Sequence, residues 1–217
     1  MKQSLLITIF VFLTSCTAFK EGKIAGGYID AYKSISNALL GYDNIITEDL
    51  VNRIPYASMT LQIGKGPKGL LILESIRGDL LTWVSQDGVY IVTNKGRIVQ
   101  TSGLENNLLE YNSSLSLEKI LINDKTEYSN FYSYDFPTLN NLEVKSIFIK
   151  RKAQEESLLM GIKSLAIVEE RFFNDYLGWK RLNRFWLDKQ NYVWKSEQYI
   201  SPKMPVFILE ITKKPSI

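Results

Sequence analysis

The sequence contains no histidine and a single cysteine, Cys16. Histidine is the usual general base near neutral pH and the commonest protein ligand of metal ions. Its absence excludes Ser-His-Asp and Cys-His catalysis, and with one thiol it also excludes a zinc site built from cysteine and histidine. One cysteine cannot form a disulfide within the chain, so the fold must depend on its packed core. Hydrolysis by paired carboxylates is the catalytic chemistry that the composition leaves open.

Net charge and long apolar segments are also scarce. The formal net charge is +3 over 217 residues, which is too small to indicate a nucleic-acid partner. The apolar segment at the N-terminus, Leu5 to Leu13, is about half the roughly 20 residues that a helix needs to cross a bilayer. We therefore do not expect a permanent membrane-spanning helix there.

The N-terminus instead has the features of a secretory signal peptide. Lys2 precedes the apolar segment, and small residues lead to Cys16. The sequence Leu-Thr-Ser-Cys that ends at Cys16 resembles the bacterial lipobox. This resemblance implies that diacylglycerol is attached to the Cys16 thiol, that the chain is cleaved before Cys16 and that the new amine is acylated. Two or three acyl chains make such anchoring durable. The alternatives are cleavage after Ala18, which would release a soluble protein, and retention of the signal as an anchor.

These features divide the chain into a signal peptide at 1–15, a lipidated tether at 16–23 and one domain at 24–217. Thr17 follows the cysteine, where an aspartate would favour retention in the inner membrane, so the lipobox resemblance implies the periplasmic face of the outer membrane. A domain of this length buries about 70% of its unfolded surface, which is enough to stabilise it without disulfides.

The hydrophobic period is two over most of the domain, which predicts half-buried β-strands. Tight glycine-containing turns join the first five strands into an antiparallel meander. We predict a mainly β fold whose antiparallel sheet closes as a sandwich or a partly open barrel. The predicted strands are 56–63, 70–75, 80–85, 89–93, 97–101, 128–134, 142–152, 165–173, 182–187, 192–200 and 206–212.

Two helices are predicted before the meander. Apolar residues at three- and four-residue spacing from Ile24 to Leu40, followed by Gly41, indicate an N-terminal helix with a glycine cap. Thr47 precedes two acidic residues and is typical of the N-cap of a short helix that ends before Pro55.

Three polar stretches are predicted to lie outside the packed sheet. The first, 103–115, is polar and irregular. The second, 150–156, is charged and is typical of a solvated hairpin end. The third, Glu169 to Arg171, is most simply a solvent-exposed face of a strand.

Three stretches of the domain resemble the YjbF/GfcB lipoproteins of exopolysaccharide and group 4 capsule gene clusters. They occur in the same order and at similar spacing from about Thr47 to the C-terminus, and the lipobox belongs to the same pattern. One departure is Asn191, at a turn position where we expect glycine; asparagine tolerates positive φ better than most residues, so we expect the turn to survive. The stretches are IPYAS at 54–58, WVS at 83–85 with RIVQTSGL at 97–104, and NRFWLD at 183–188 with VWKSEQ at 193–198.

The resemblance implies an accessory lipoprotein rather than an enzyme. Its implied partners are an outer-membrane β-barrel and a periplasmic protein of the same gene cluster, with the surface polysaccharide itself as a further candidate. The family supplies no catalytic residues that could be transferred to this chain, and we expect no metal and no cofactor.

Aromatic and charged residues suggest a candidate surface for a ligand or a partner. Aromatic faces stack on sugar rings, and a carboxylate with a guanidinium group can clamp a saccharide. Core packing and ordinary cross-strand ion pairs are the alternative roles for the same residues. The candidate residues are Trp83, Arg184, Trp186, Trp194 and Glu197.

The hairpin that carries four of these residues has a predicted register. With a four-residue loop from Asp188 to Asn191, Trp186 would pair with Val193, and Phe185 would pair with Trp194. The second of these would be a cross-strand aromatic pair, which is a structural role.

Two further functions stay open. The first is a lipid- or lipoprotein-binding carrier, in which the sheet and the N-terminal helix enclose an apolar cavity. The second is a glycan hydrolase that uses two carboxylates, for which the sequence provides no distance between the acids.

Overall fold

The computed structural model describes residues 46–113 and 127–216. The predicted signal peptide, Cys16, the tether and the predicted helix at 24–40 lie outside these residues. The short helix predicted after Thr47 is confirmed as α1 (Glu48–Arg53). The Thr47 side chain accepts a hydrogen bond from the Leu50 backbone N–H, and Ile54 ends the helix in an extended conformation before Pro55.

The rest of the described chain is built from antiparallel strands. The predicted meander is confirmed: turns at positive-φ glycines such as Gly78, Gly88 and Gly96 reverse the chain between strands whose side chains alternate between the interior and the outer face. The strands of the first half are β1 (Ser58–Ile63), β2 (Lys68–Arg77), β3 (Leu80–Ser85), β4 (Tyr90–Asn94) and β5 (Arg97–Ser102).

The second half continues with longer strands. They are β6 (Leu108–Ser113), β7 (Glu127–Tyr134), β8 (Leu139–Lys150), β9 (Gln154–Leu158), β10 (Gly161–Asn174), β11 (Trp179–Leu187), β12 (Val193–Gln198) and β13 (Phe207–Lys213). The first part of β10 pairs with β9, and the rest pairs with β8 and β11.

These strands form one antiparallel sheet that curls into a nearly closed barrel. The order along the sheet is β5-β4-β3-β2-β1-β13-β12-β11-β10-β8-β7-β6, with β9 on β10 alone. The two ends of this path, β5 and β6, meet at a seam, where the Leu108 N–H donates to the Thr101 hydroxyl at 2.9 Å. The partly open barrel is thus the closure that the chain adopts.

The core fills the interior of this barrel. Met59, Leu71, Trp83, Ile91 and Phe207 are among its fully buried members. Burying each such side chain completely stabilises the fold by about 1.5–3 kcal/mol. This agrees with the expectation that the packed core stabilises the domain without disulfides. A smaller cluster lies under α1 on the outer face, formed by Leu50, Ile54, Leu70, Ile72 and Val84.

Two of the predicted polar stretches contain strands that the pattern did not indicate. Residues 103–115 include β6, where a bulge after Leu108 disrupts the alternation on which the prediction depended. Residues 150–156 include the start of β9, which folds back along β10. The prediction of a solvent-exposed Glu169–Arg171 is wrong for Glu170, which is completely buried and faces the interior.

The predicted register of the β11–β12 hairpin is also wrong. Leu187 pairs with Val193 because the loop is one residue longer than predicted. A bulge at Trp194 then inserts a further residue into β12, so that Trp186 pairs with Lys195 and Phe185 with Ser196. The loop has five residues, and the Asp188 N–H donates to the Tyr192 carbonyl across it at 3.0 Å. Phe185 and Trp194 therefore do not form a cross-strand pair.

Candidate functional site

A buried ion pair crosses the interior of the barrel near the seam. The Arg97 guanidinium on β5 contacts the Glu170 carboxylate on β10 at 2.8 Å, and both side chains are almost inaccessible to solvent. Burying two charges costs several kcal/mol for each ion unless hydrogen bonds satisfy them. The neighbouring strands supply most of these bonds.

Glu170 accepts hydrogen bonds from two strands besides β5. Ser146 on β8 donates to one carboxylate oxygen at 2.8 Å, and Asn183 on β11 donates to the other at 2.9 Å. Asn130 on β7 donates to Ser146, and the Tyr111 hydroxyl on β6 donates to Asn130 at 2.9 Å. A continuous polar chain therefore joins β5, β6, β7, β8, β10 and β11.

Two rings enclose the Arg97 guanidinium. Its carbon lies 4.9 Å from the centre of the Tyr111 ring and 4.8 Å from that of Phe185. Burial has the largest single effect on the pKa of Arg97 and lowers it, but Glu170, Tyr111 and Tyr132 together outweigh it, so the net pKa is raised and the group stays charged. Burial also raises the pKa of Tyr111 to about 12, against the opposing effect of Arg97. The network is therefore a charged, fully enclosed cross-link and not an acid-base site that a substrate could reach.

A cavity of about 320 Å³ opens at one end of the barrel. We call it the mouth cavity. Turns at this end surround it: β2–β3 with Gly78 and Asp79, β4–β5 with Lys95 and Gly96, and the β11–β12 loop. Its floor is apolar and consists of Met59, Leu81, Trp83, Leu209 and Ile211.

Polar and aromatic groups form the rim of the mouth cavity. Lys95, Tyr192, Trp194, Lys195 and Lys214 are among its lining residues. The Lys214 ammonium lies 4.3 Å from the centre of the Tyr192 ring. Lys95 lies 3.6 Å from Asp79, and Lys195 lies 2.6 Å from Glu156. Two of the three lysines at the rim are thus paired with carboxylates, and the interior that they surround is apolar.

Asp188 holds the β11–β12 loop in place beside the cavity. One carboxylate oxygen accepts from the backbone N–H groups of Gln190 and Tyr192 at 2.9 and 3.0 Å, and the other accepts from the Trp194 indole N–H at 2.8 Å. Burial raises the pKa of Tyr192, and the Asp188 charge adds to the rise. Trp194 therefore has a partner for its polar atom, and the loop is rigidly attached to β12.

The five candidate residues from the sequence do not form one surface. Trp83 is completely buried in the core at the floor of the mouth cavity, and its indole N–H donates to Thr93 at 3.0 Å. Trp186 is buried on the outer face under the β9–β10 hairpin, with Leu158 and Leu165. Trp194 lies at the rim of the mouth cavity.

Arg184 and Glu197 form a partly exposed cross-strand ion pair on the outer face. The two groups lie 3.0 Å apart at paired positions of β11 and β12. Glu169 lies 4.0 Å from Arg184 and 2.9 Å from Arg151, which extends the pair into a row of alternating charges. This geometry is that of ordinary cross-strand ion pairing, the alternative to a saccharide clamp that the sequence left open.

The sequence did not indicate the buried network. An apolar cavity was expected only under the alternative of a lipid carrier, and the sequence did not indicate its position or its lining. Arg97 lies in a motif of the family resemblance, but Glu170 lies in a charged run that resembles a solvent face, and only the alternation along β10 distinguishes it from its neighbours. Within the described ranges, no group of three acidic or cysteine side chains could hold a metal ion. Residues 46–113 and 127–216 also contain no helix that is long and apolar enough to span a membrane.

A family model described as "Group 4 capsule polysaccharide lipoprotein gfcB, YjbF" matches residues 32–212, which is most of the chain and includes all of the described strands except the last residue of β13. The chain belongs to the YjbF family. The family resemblance drawn from the three motifs is therefore confirmed, and the family consists of lipoproteins associated with group 4 capsule polysaccharide.

Individual relatives agree with this assignment. The chain is 24% identical over 205 residues to the uncharacterized lipoprotein YjbF of Escherichia coli K12, with 92% of each protein covered. It is 29% identical over 111 residues to the uncharacterized lipoprotein GfcB of the same organism, which covers 51% of this chain and 49% of GfcB. The crystal structure of the hypothetical lipoprotein YmcC from E. coli K12 superposes with a TM-score of 0.72 at 20% identity, over 91% of this chain and 100% of YmcC. That likeness shows a shared fold.

Proposed function

We propose that this YjbF-family protein is anchored through acyl chains on Cys16 to the periplasmic face of the outer membrane. There it serves as a non-enzymatic adaptor in the production or export of a surface polysaccharide. The observation that supports this most strongly is the family match over residues 32–212. Its proposed partners are an outer-membrane β-barrel and a periplasmic protein of the same gene cluster.

The structure supports an adaptor in two ways. The buried carboxylate of Glu170 is bonded to Arg97, Ser146 and Asn183 inside the barrel, where it stabilises the fold and no glycan can reach it. The barrel itself offers a rigid body with two ends and a long outer surface, and rigid elements are suited to holding partners in a fixed geometry.

A deletion strain with three complementing genes tests the proposal. Wild type is expected to restore surface polysaccharide, whereas Cys16→Ser should leave an unprocessed chain that does not fractionate with the outer membrane and restores little polysaccharide. Thr17→Asp is the matched control, because it keeps the acyl chains and should move the protein to the inner membrane. Normal polysaccharide in the deletion strain would contradict the role, and unchanged processing of Cys16→Ser would contradict the anchor.

The non-enzymatic part has its own test. Purified protein incubated with the isolated polysaccharide should release no reducing ends. Release that a single Asp or Glu substitution abolishes would replace the adaptor with a carboxylate-based hydrolase.

A further inference from the structure

The mouth cavity has the size and lining of a site for one hydrocarbon chain. An apolar cavity of about 150 Å³ stays dry and binds benzene, and ligand sites begin at about 300 Å³. The mouth cavity holds about 320 Å³. By that comparison it accommodates a single chain on the order of ten carbons, and it is too small for a lipid with two chains.

The floor of the cavity presents only apolar contacts to such a chain. Met59, Leu81, Leu209 and Ile211 surround the Trp83 ring. The one polar atom of that ring is bonded to Thr93, so the indole needs no partner from a ligand. Burying hydrocarbon against these residues is favourable by about 25 cal/mol per Å² of apolar surface.

The charges at the rim indicate which charge the polar end of such a ligand would carry. Asp79 and Glu156 already neutralise Lys95 and Lys195. Lys214 is exposed and lies over Tyr192, and among the described residues no carboxylate lies within 4.0 Å of its ammonium. An anion at the rim would therefore complement a positive charge that an aromatic ring alone holds in place.

We propose that the mouth cavity binds a single acyl chain that carries an anionic head group. The chain lies against Trp83, and the head group lies beside Lys214. This site is independent of the adaptor role, so either proposal can fail without the other.

Quenching of tryptophan fluorescence by ω-bromoundecanoate tests the site on the purified chain without its signal. The bromine is at the end of the chain opposite the carboxylate, so it should reach Trp83 and quench its emission in a saturable way. The neutral ω-bromoundecanol should bind up to about fivefold more weakly, which is the upper range for a partly exposed ion pair. Equal binding of the two probes would contradict the anionic head group.

Substitutions test where ω-bromoundecanoate binds. Trp83→Phe should remove the saturable quenching, whereas quenching that persists in Trp83→Phe and disappears in Trp194→Phe would contradict the proposed orientation. Lys214→Glu should weaken binding about fivefold. Lys203→Glu is the matched control, because Lys203 is also exposed and its ammonium also lies over an aromatic ring, 5.5 Å from the centre of Phe136. Lys203 belongs to the connection from β12 to β13, at the opposite end of the barrel. An equal effect of both lysine substitutions would contradict the site.

A filling variant covers the case in which Trp83→Phe fails to fold. Ile211→Phe places a larger side chain in the cavity and reduces its free volume, so the increase in melting temperature that undecanoate causes in the wild type should disappear. Displacement of the probe by dodecanoate supports a fatty acid as ligand, and displacement by dodecyl phosphate supports a lipid phosphate. Displacement by neither compound, or an undecanoate shift that Ile211→Phe leaves unchanged, contradicts the proposal.

Discussion

Arg97 and Glu170 lie 2.8 Å apart inside the barrel, although β5 and β10 are eight positions apart in the strand order. β5 is one end of the curled sheet, and within residues 46–113 and 127–216 the strand that pairs with it is β4. The ion pair therefore fixes a free edge of the sheet to the wall that the opposite half of the chain forms. Closure of the barrel depends on side chains at this point rather than on a ladder of backbone hydrogen bonds.

Glu170→Gln should destabilise the fold by about 3–5 kcal/mol, because it leaves the Arg97 charge buried without a counter-ion. Urea unfolding at neutral pH measures the loss. Arg184→Met is the control: it removes one member of the partly exposed Arg184–Glu197 pair and should cost about 1 kcal/mol or less. Similar losses in the two variants would show that the buried pair has no special role in closure.

Gly96→Ala should cost about 2–4 kcal/mol, the sum of a backbone effect and overpacking. Gly96 has a φ of +88°, and a Cβ at this position would lie 2.4 Å from the Cβ of Val193 on the far wall. Gly78→Ala is a matched control, because Gly78 also has a positive φ, of +60°, but a Cβ there would meet nothing within 4 Å. Thermal or urea unfolding of both variants separates the cost of the contact with Val193 from the cost of the backbone conformation. Equal losses of stability would mean that Gly96 is needed only for the conformation of its turn.

Asp135→Asn should weaken the seam in a pH-dependent way. Asp135 accepts hydrogen bonds from the backbone and side-chain N–H groups of Asn107, both at 2.7 Å, which connects the β5–β6 loop to the β7–β8 turn. The side-chain bond from Asn107 is the main cause of the lowered pKa of Asp135. A lowered pKa stabilises the folded state above the unfolded-state pKa of about 3.9, and this contribution is lost as the pH falls through the folded-state value.

Urea midpoints between about pH 7 and pH 3 check this expectation. The wild type should be more stable than Asp135→Asn at neutral pH, and the difference should shrink as the pH falls below about 4. Asp175→Asn is the control, because Asp175 is an exposed turn residue with a loose contact of 3.7 Å to Lys180. A constant difference between wild type and Asp135→Asn across this range would contradict the role of the charge.

Asn191→Gly should stabilise the protein slightly, by about 0.5–1 kcal/mol. Asn191 has a φ of 60°, as expected for the turn position where the family resemblance suggested glycine. Asn191→Ala should instead cost about 1 kcal/mol, because alanine lacks the tolerance of asparagine for this conformation. Melting temperatures of the two variants should move in opposite directions, and a gain for alanine would contradict the backbone argument.

Local chemistry in the sequence determined the elements of this protein. The period of two and the turn glycines predicted the meander, and Thr47 predicted the cap of α1, because each of these depends on residues close along the chain. The three motifs also identified the family correctly.

Only the tertiary structure decided what depends on contacts between distant strands. The five-residue loop and the bulge at Trp194 shifted the hairpin register, because neither leaves a mark on the alternation of the partner strand. Glu170 became a buried counter-ion because Arg97 approaches it across the closed barrel. The mouth cavity likewise arises where turns that are far apart in sequence meet at one end of the sheet, and no pattern within any one of them specifies the space between them.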